Sequence, residues 1–299
     1  RPAGDRSARL YSLAVSSPAK VNLFLEVVRK RPDGYHDIES VFHTVDLQDR
    51  LCFTRREDDK LLLYCDADNV PTDGSNLILQ AAEALRRASG CNLGVEIALQ
   101  KRIPPAAGLG GGSSNAAASL QALSTLWDLD LPLETLAPIA ADLGADVPFF
   151  LHGGTCFCTG RGEAVEPLAA PPAMDFVLVF PQWTVATPEA YAALDEAQLG
   201  IHSSNAFVRA FNHGDMAGMT REMFNRFEDT VFRMEPRQEK LQRALSDLGF
   251  RAVRMTGSGS TVFGLVPEDG DPKALAREAG RCDGVRAVET ARSCDTSGD

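Results

Sequence analysis

Long apolar runs are missing from this 299-residue chain. No stretch approaches the roughly 18–20 residues that a bilayer-spanning helix requires, so no membrane partner is expected. Positive charge is also scarce. Lys and Arg number 30 against 41 Asp and Glu, a net charge of −11, and no basic stripe is found, which argues against nucleic acid as a partner. The deficit still leaves room for a small anionic ligand, which needs only a local nest of donors. A disulfide framework is lacking too. The seven cysteines (Cys52, Cys65, Cys91, Cys156, Cys158, Cys282 and Cys294) are odd in number and scattered, so a reducing compartment is expected. Cys156 and Cys158 form the one close pair. On a strand they share a face, and without a second Cys/His cluster they read as buried thiols rather than zinc ligands. There is no internal repeat. The chain opens Arg1-Pro2 without an initiator Met, so a trimmed start is expected, with a removed targeting peptide as one cause.

What is present points to a mixed α+β protein of two domains, residues 1–168 and 173–292, joined near the Ala-Ala-Pro-Pro stretch at 169–172. Residues 1–10 read as a loose lead-in. From Tyr11 to Leu47 the pattern alternates as strands do, with Val21, Leu23, Leu25 and Val27 predicted on one face and a hairpin turn at Asp33-Gly34. Leu51–Phe53 and Leu61–Tyr64 read as a second hairpin. Helical spacing runs over 76–89 and stops at Gly90, and a strand follows at Val95–Leu99. A small-residue helix is predicted over Ala116–Trp127 and another over Leu133–Leu143, then a strand at Thr155–Cys158. In the second half strands are predicted at Phe176–Phe180, Arg251–Thr256, Thr261–Leu265 and 285–291. Helices are predicted near 203–213, 236–248 and 272–280, and one starts at Thr187-Pro188-Glu189 with Thr187 as its cap. The tail from Arg292 reads as disordered.

Five features carry chemistry. Between Pro104 and Asn115 the chain reads PPAAGLGGGSSN; four glycines within five residues, Gly108 and Gly110–Gly112, leave amides uncovered at a helix start, a favourable site for phosphate. No Gly-Lys-Ser/Thr follows, so it is not a Walker A loop, and no ribose-binding acid follows at dinucleotide spacing. A flexible loop before an Ala-rich helix is the plainer alternative. Lys20, with Asn22 on its face, sits at the entry to an apolar strand, where a surface lysine is the plain reading. Asp146, between Gly144 and Pro148, is either a capping aspartate or a carboxylate held near a reacting hydroxyl. Asp33-Gly34-Tyr35-His36 is an ordinary turn or a stacking ring beside a hydrogen-bonding imidazole. Met255–Ser260 (MTGSGS) is a plain turn or a second backbone nest.

Together these segments resemble the GHMP kinase superfamily: PPAAGLGGGSSNAA is similar to its phosphate loop and MTGSGSTVF to its C-terminal glycine motif. SPAKVNLFL, RPDGYHD, GADVPFF and TGRGE are similar to one branch, the ATP-dependent kinases of the non-mevalonate (MEP) isoprenoid route that phosphorylate the 2-hydroxyl of a cytidine-diphosphate-linked methylerythritol. The resemblance runs from about Ser16 to Phe263. It implies an N-terminal domain like domain 2 of ribosomal protein S5, a ferredoxin-like C-terminal domain, and a site in the cleft between them. It implies Asp146 as catalytic base assisted by Lys20. It implies an ATP site from Asn76, Ile78, Lys101, Pro104, Gly108, Leu109, Gly110, Gly111, Gly112, Ser113, Ser114 and Asn115, with Mg²⁺ held mainly through the phosphates and no dedicated protein ligand. The substrate side takes Asn22, Tyr35, His36, Thr187, Tyr191, Gly257, Ser258 and Gly259. Tyr191 stands where the family often has Phe. Read from the residues alone, Arg161 is either a further cleft cation beside Lys20 and Lys101 or a surface strand arginine. The alternatives are a homoserine- or mevalonate-type kinase, which would lack the Asp-Gly-Tyr-His turn, or a non-catalytic nucleotide-binding module, against which Lys20 and Asp146 speak. CTGRGE and MTGSGST look like plant and algal versions, so a plastid stroma is expected, with bacterial cytoplasm as the alternative.

Overall fold

The structure, a computed structural model, describes residues 11–169 and 173–294. The lead-in at 1–10, positions 170–172 of the joining stretch and the last five residues of the tail lie outside the described residues. The first half opens with two long strands, β1 (Ser12–Lys30) and β2 (His36–Arg56), joined by the Asp33-Gly34 turn, where Gly34 takes φ +87°. Also in this half are β3 (Leu61–Cys65), α1 (Leu77–Ser89), β4 (Gly94–Gln100), α2 (Gly111–Leu126), α3 (Leu133–Leu143), α4 (Val147–His152), β5 (Thr155–Thr159) and β6 (Ala164–Pro167). The second half carries β7 (Asp175–Pro181), α5 (Thr187–Ala192), α6 (Asn205–Asn212), α7 (Met216–Glu222), β8 (Phe224–Asn225), α8 (Phe227–Met234), α9 (Pro236–Ser246), β9 (Ala252–Met255), β10 (Val262–Leu265), α10 (Pro272–Ala279) and β11 (Val285–Arg292).

The first sheet runs β3-β4-β2-β1-β8, with β5 pairing to β2 and β6 to β5; the second is antiparallel, β11-β7-β10-β9. One core lies between the first sheet and the helices that cover it, built around Phe42, Phe53, Leu85, Leu120 and Phe149, with Ala190 of α5 and Phe227 and Val231 of α8 joining from the second half. A second lies between the two sheets, where Val21 and Leu23 meet Phe176, Leu178 and Phe263. Both faces of β1 are therefore covered, and every residue from Ser17 to Val27 is buried. That is why Val21, Leu23, Phe24, Leu25 and Val27 are apolar, while the buried polar residues of the run, Ser17, Lys20, Asn22 and Glu26, are each hydrogen-bonded.

The structure corrects several expectations. Val21, Leu23, Leu25 and Val27 do not share a face. A register shift between Asn22 and Phe24 slips the alternation by one, so Val21, Leu23 and Phe24 enter the inter-sheet core while Leu25 and Val27 enter the helix-side core. Leu61–Leu63 do not form a hairpin with β2. That edge is taken by β4, and β3 lies parallel to β4 on its far side, with α1 as the crossover. α2 starts at Gly111, five residues before the expected Ala116. First-turn amides make no intrahelical bond, so glycine is tolerated there. VPFFLH forms the short helix α4, with Pro148 in its first turn. α5 is capped by Ala186, not Thr187, whose hydroxyl is used elsewhere. The start of the tail is ordered: Arg292 ends β11 and Ser293 bridges to Val45.

Candidate functional site

The glycine loop owes its shape to two left-handed residues, Gly108 (φ +72°) and Gly110 (φ +69°). A Cβ on Gly108 would lie 2.7 Å from the Thr256 carbonyl oxygen, and one on Gly110 would lie 2.8 Å from the Phe150 ring and 3.2 Å from Lys20 Cγ. Only glycine lets the loop run this close to both neighbours. Gly110 caps α2 with no side-chain bond, and the amides of Gly111, Gly112 and Ser113 have no protein acceptor among the described residues. These free donors, at the positive end of a 16-residue helix, face a cleft of about 360 Å³ lined by the loop, Pro71, Asn76, Lys101 and Pro104.

The hydroxyl of Ser114 and the amide of Asn115 turn away from that cleft. Ser17 donates to Ser114 Oγ at 2.7 Å, and Asn115 Nδ2 donates to Ser17 Oγ and to Asp49 Oδ2, each at 2.9 Å. Asp49, fully buried, also accepts from Lys101 Nζ at 2.5 Å and from the amides of Arg102 and Ile103 at 2.7 and 2.9 Å. Lys101 Nζ is thereby fixed 3.1 Å from the Cβ position of Gly111. Asn76 caps α1, accepting from Ile78 N at 2.9 Å and donating to Pro71 O at 2.7 Å, while the Ile78 side chain lies in the core.

Lys20 stands behind the loop. Its backbone amide donates to Leu109 O at 3.0 Å. Its buried ammonium lies 3.7 Å from Asp146 Oδ2, donates to Asn22 Oδ1 at 2.7 Å and sits 4.7 Å from the Phe42 ring centroid. Burial pulls the pKa of Lys20 down, and the Asp146 carboxylate opposes that shift. Asp146 occupies the residue just before α4 and is about one-third exposed, open to the second cleft.

This second cleft measures about 760 Å³ and brings Tyr35, His36, Asp146, Arg161, Thr187 and Tyr191 to one wall. Tyr35 is exposed, with the Arg161 guanidinium carbon 5.2 Å from its ring centroid. Tyr191 is braced between His36, at 4.9 Å between centroids, and Phe227, at 4.8 Å edge-on. Burial raises its hydroxyl pKa to about 12, with Asp146 adding to the shift. His36 is pulled down by burial and by Lys30, against Glu196.

Asn22 is not on that wall. Its side chain is consumed by Lys20, by Ser40 Oγ at 2.9 Å, by Thr256 Oγ1 at 3.1 Å and by the amide of Gly257 at 2.8 Å. It ties Lys20 to the glycine turn of the second half. Gly257 (φ +58°) and Gly259 (φ +88°) shape that turn, and Ser258 bonds Thr187 at 2.8 Å. Sequence reasoning passed over Thr256, Asp49, Ser17 and Asn225, the last of which holds Met255 O and Gly257 O at 2.7 and 2.9 Å. The one signal was polarity inside apolar strands, visible at Asp49 and Ser17.

Two family models match: "GHMP kinases N terminal domain" over residues 76–154 and "GHMP kinases C terminal" over 207–284. The structure of a homoserine kinase from Cytophaga hutchinsonii superposes with TM-score 0.78 at 19% identity, covering 98% of each chain, a likeness of fold. Fold and site thus define a small-molecule kinase of the GHMP class. A solved 4-(cytidine 5'-diphospho)-2C-methyl-D-erythritol kinase matches with TM-score 0.76 at 36% identity, over 94% of this chain and 98% of that one. The 4-diphosphocytidyl-2-C-methyl-D-erythritol kinases of Macrococcus caseolyticus and Geobacillus kaustophilus are each 40% identical, over 89% and 92% of this chain and 95% and 96% of theirs. The chain belongs to the 4-diphosphocytidyl-2-C-methyl-D-erythritol kinase family.

Proposed function

We propose that this chain transfers the γ-phosphoryl group of ATP to the 2-hydroxyl of 4-diphosphocytidyl-2-C-methyl-D-erythritol, in the non-mevalonate (MEP) supply of isoprenoid precursors. The observation that carries this reading is Lys20, whose backbone is bonded to the glycine loop and whose ammonium lies 3.7 Å from Asp146. One buried residue spans the two clefts between which a phosphoryl group must pass.

ATP supplies the phosphoryl group, and Mg²⁺ offsets charge on its phosphates. The unbonded first-turn amides of α2 fit a triphosphate, with Lys101 adding a cation at their edge. Ser113 is the hydroxyl of that turn open to Mg²⁺, since Ser114 is closed on Ser17. Magnesium keeps several waters and needs few protein ligands. Asp146 holds the attacking hydroxyl and takes its proton. Lys20, 3.7 Å from that carboxylate, holds it in place and balances negative charge as it develops. His36, whose pKa burial and Lys30 pull down, offers its ring nitrogens to the cytosine edge. Tyr35 gives the base a stacking surface, and Tyr191 forms the wall behind. Gly257–Gly259 close the site from the second half, through Thr187 and Asn22.

We further propose that residues 1–168 and 173–292 act as the two domains of this kinase. The relatives named above are bacterial, so they favour a bacterial cytoplasmic setting and lend the plastid expectation no support.

The test is ADP release by purified protein with three acceptors. Turnover with the cytidyl substrate and none with homoserine or mevalonate supports the reading. The reverse pattern rejects it.

A further inference from the structure

This inference rests on the acceptor proposed above. That acceptor carries a diphosphate between its base and its sugar alcohol, and so brings negative charge to the middle of the second cleft. Tyr35 and His36 mark the base end of the wall and Asp146 the alcohol end. Arg161 lines the same cleft. Its guanidinium carbon is 5.2 Å from the Tyr35 centroid. The next residue, Gly162, faces Asp146 closely enough that a Cβ there would lie 3.6 Å from Asp146 Oδ1. We infer that Arg161 clamps the diphosphate of the acceptor and sets the preference for a nucleoside diphosphate ester over a bare nucleoside.

The turn that presents Arg161 is pinned. Gly160 (φ +70°) and Gly162 (φ +125°) flank it, and Glu163 Oε2 accepts from the Arg161 amide at 2.6 Å. The other Glu163 oxygen lies 3.7 Å from Arg161 Nε, and the two terminal Nη groups have no protein acceptor among the described residues. Those groups form the fork that matches phosphate oxygens. Asp33, the other acid in the field of Arg161, is already paired with Arg31 at 3.0 Å. The remaining cation on the wall is Lys30. It pairs with His36 across the hairpin, which puts it at the base end, and its ammonium is engaged by Glu196 at 3.2 Å.

The test measures inhibition constants of cytidine diphosphate and of cytidine against the acceptor, in the wild type and in Arg161→Met and Arg161→Lys. The loss of charge-assisted hydrogen bonds predicts that Arg161→Met weakens cytidine diphosphate by about 10- to 100-fold. Cytidine should change by less than about twofold, since no base contact is removed, and the KM for ATP should stay at the wild-type value. Arg161→Lys should recover part of the loss, because it keeps the charge without the fork. Equal weakening of both inhibitors would mean that Arg161 only braces Tyr35, and would overturn the clamp while leaving the kinase reading intact. No change in either would overturn it as well. A wild type that binds neither nucleotide would reject the proposed acceptor and the clamp with it.

Discussion

The two clefts joined by Lys20 are built by opposite means. The cleft proposed for the phosphoryl donor is made of backbone: glycines at positive φ, free amides of α2, and side chains such as Ser114 and Asn115 turned inward to brace the loop. The cleft proposed for the acceptor is made of side chains from four separate segments: Tyr35 and His36, Asp146, Arg161, and α5 with Thr187 and, one helical turn further on, Tyr191. A phosphate-binding surface of bare amides suits any triphosphate, so it can be shared across a superfamily. Recognition of one sugar alcohol and one base needs named groups at fixed points.

Substitutions should separate the clefts. Asp146→Asn should have the largest effect, lowering kcat by about 10³-fold or more, since a positioned base contributes about 10²–10⁴-fold. ATP affinity, read by titration calorimetry, should stay within about twofold, because none of the donor-cleft groups is touched. A kcat near wild type would remove Asp146 from the chemistry. On the donor side, Asp49→Ala would leave Lys101 and two buried amides without their acceptor and should cost about 3–5 kcal/mol of stability in urea unfolding. In the protein that remains folded, the KM for ATP should rise and the KM for the cytidyl acceptor should not. Equal rises would show that Asp49 supports both clefts.

A third contrast comes from a residue that lines neither cleft. His43 is buried, with ring nitrogens bonded to Thr155 Oγ1 at 2.7 Å and Ser293 Oγ at 2.9 Å, and burial holds its pKa at about 4 against the usual 6.5. Below pH 6.5 the unfolded chain takes up a proton that the folded chain refuses until about pH 4, so stability falls across that window. Between pH 7 and 5 the loss should be about 2 kcal/mol larger in wild type than in His43→Gln. Parallel pH profiles would contradict this. The smallest effect expected is that of Tyr35→Ala, which should raise the acceptor KM by about 5- to 100-fold, a stacking loss of about 1–3 kcal/mol, and spare the KM for ATP. Equal changes in both constants would make the turn a structural element.

The contrast between the clefts also explains what could be read from sequence. The donor cleft was legible because glycine has few reasons to recur four times in five residues, and because helix termini have a fixed electrostatic sense. The acceptor residues were legible singly, as Lys20, Asp146 and the Tyr35-His36 turn, yet nothing local to them says that they meet. Their union depends on α4 bringing Asp146 to Lys20 and on the second half delivering Thr187 and Tyr191. The bulge at Asn22–Phe24 was illegible for a different reason. β1 is apolar on both faces, so a slip of one residue leaves no trace in its hydrophobic pattern. Asp49 was missed because strand position alone does not reveal a buried partner.

The most direct test of the central claim is phosphorus NMR of the product formed from ATP and 4-diphosphocytidyl-2-C-methyl-D-erythritol. The account predicts one new phosphomonoester on the 2-hydroxyl, equal in amount to the ADP released, with the diphosphate resonances retained. ADP without that ester, or phosphate on another hydroxyl, would contradict it.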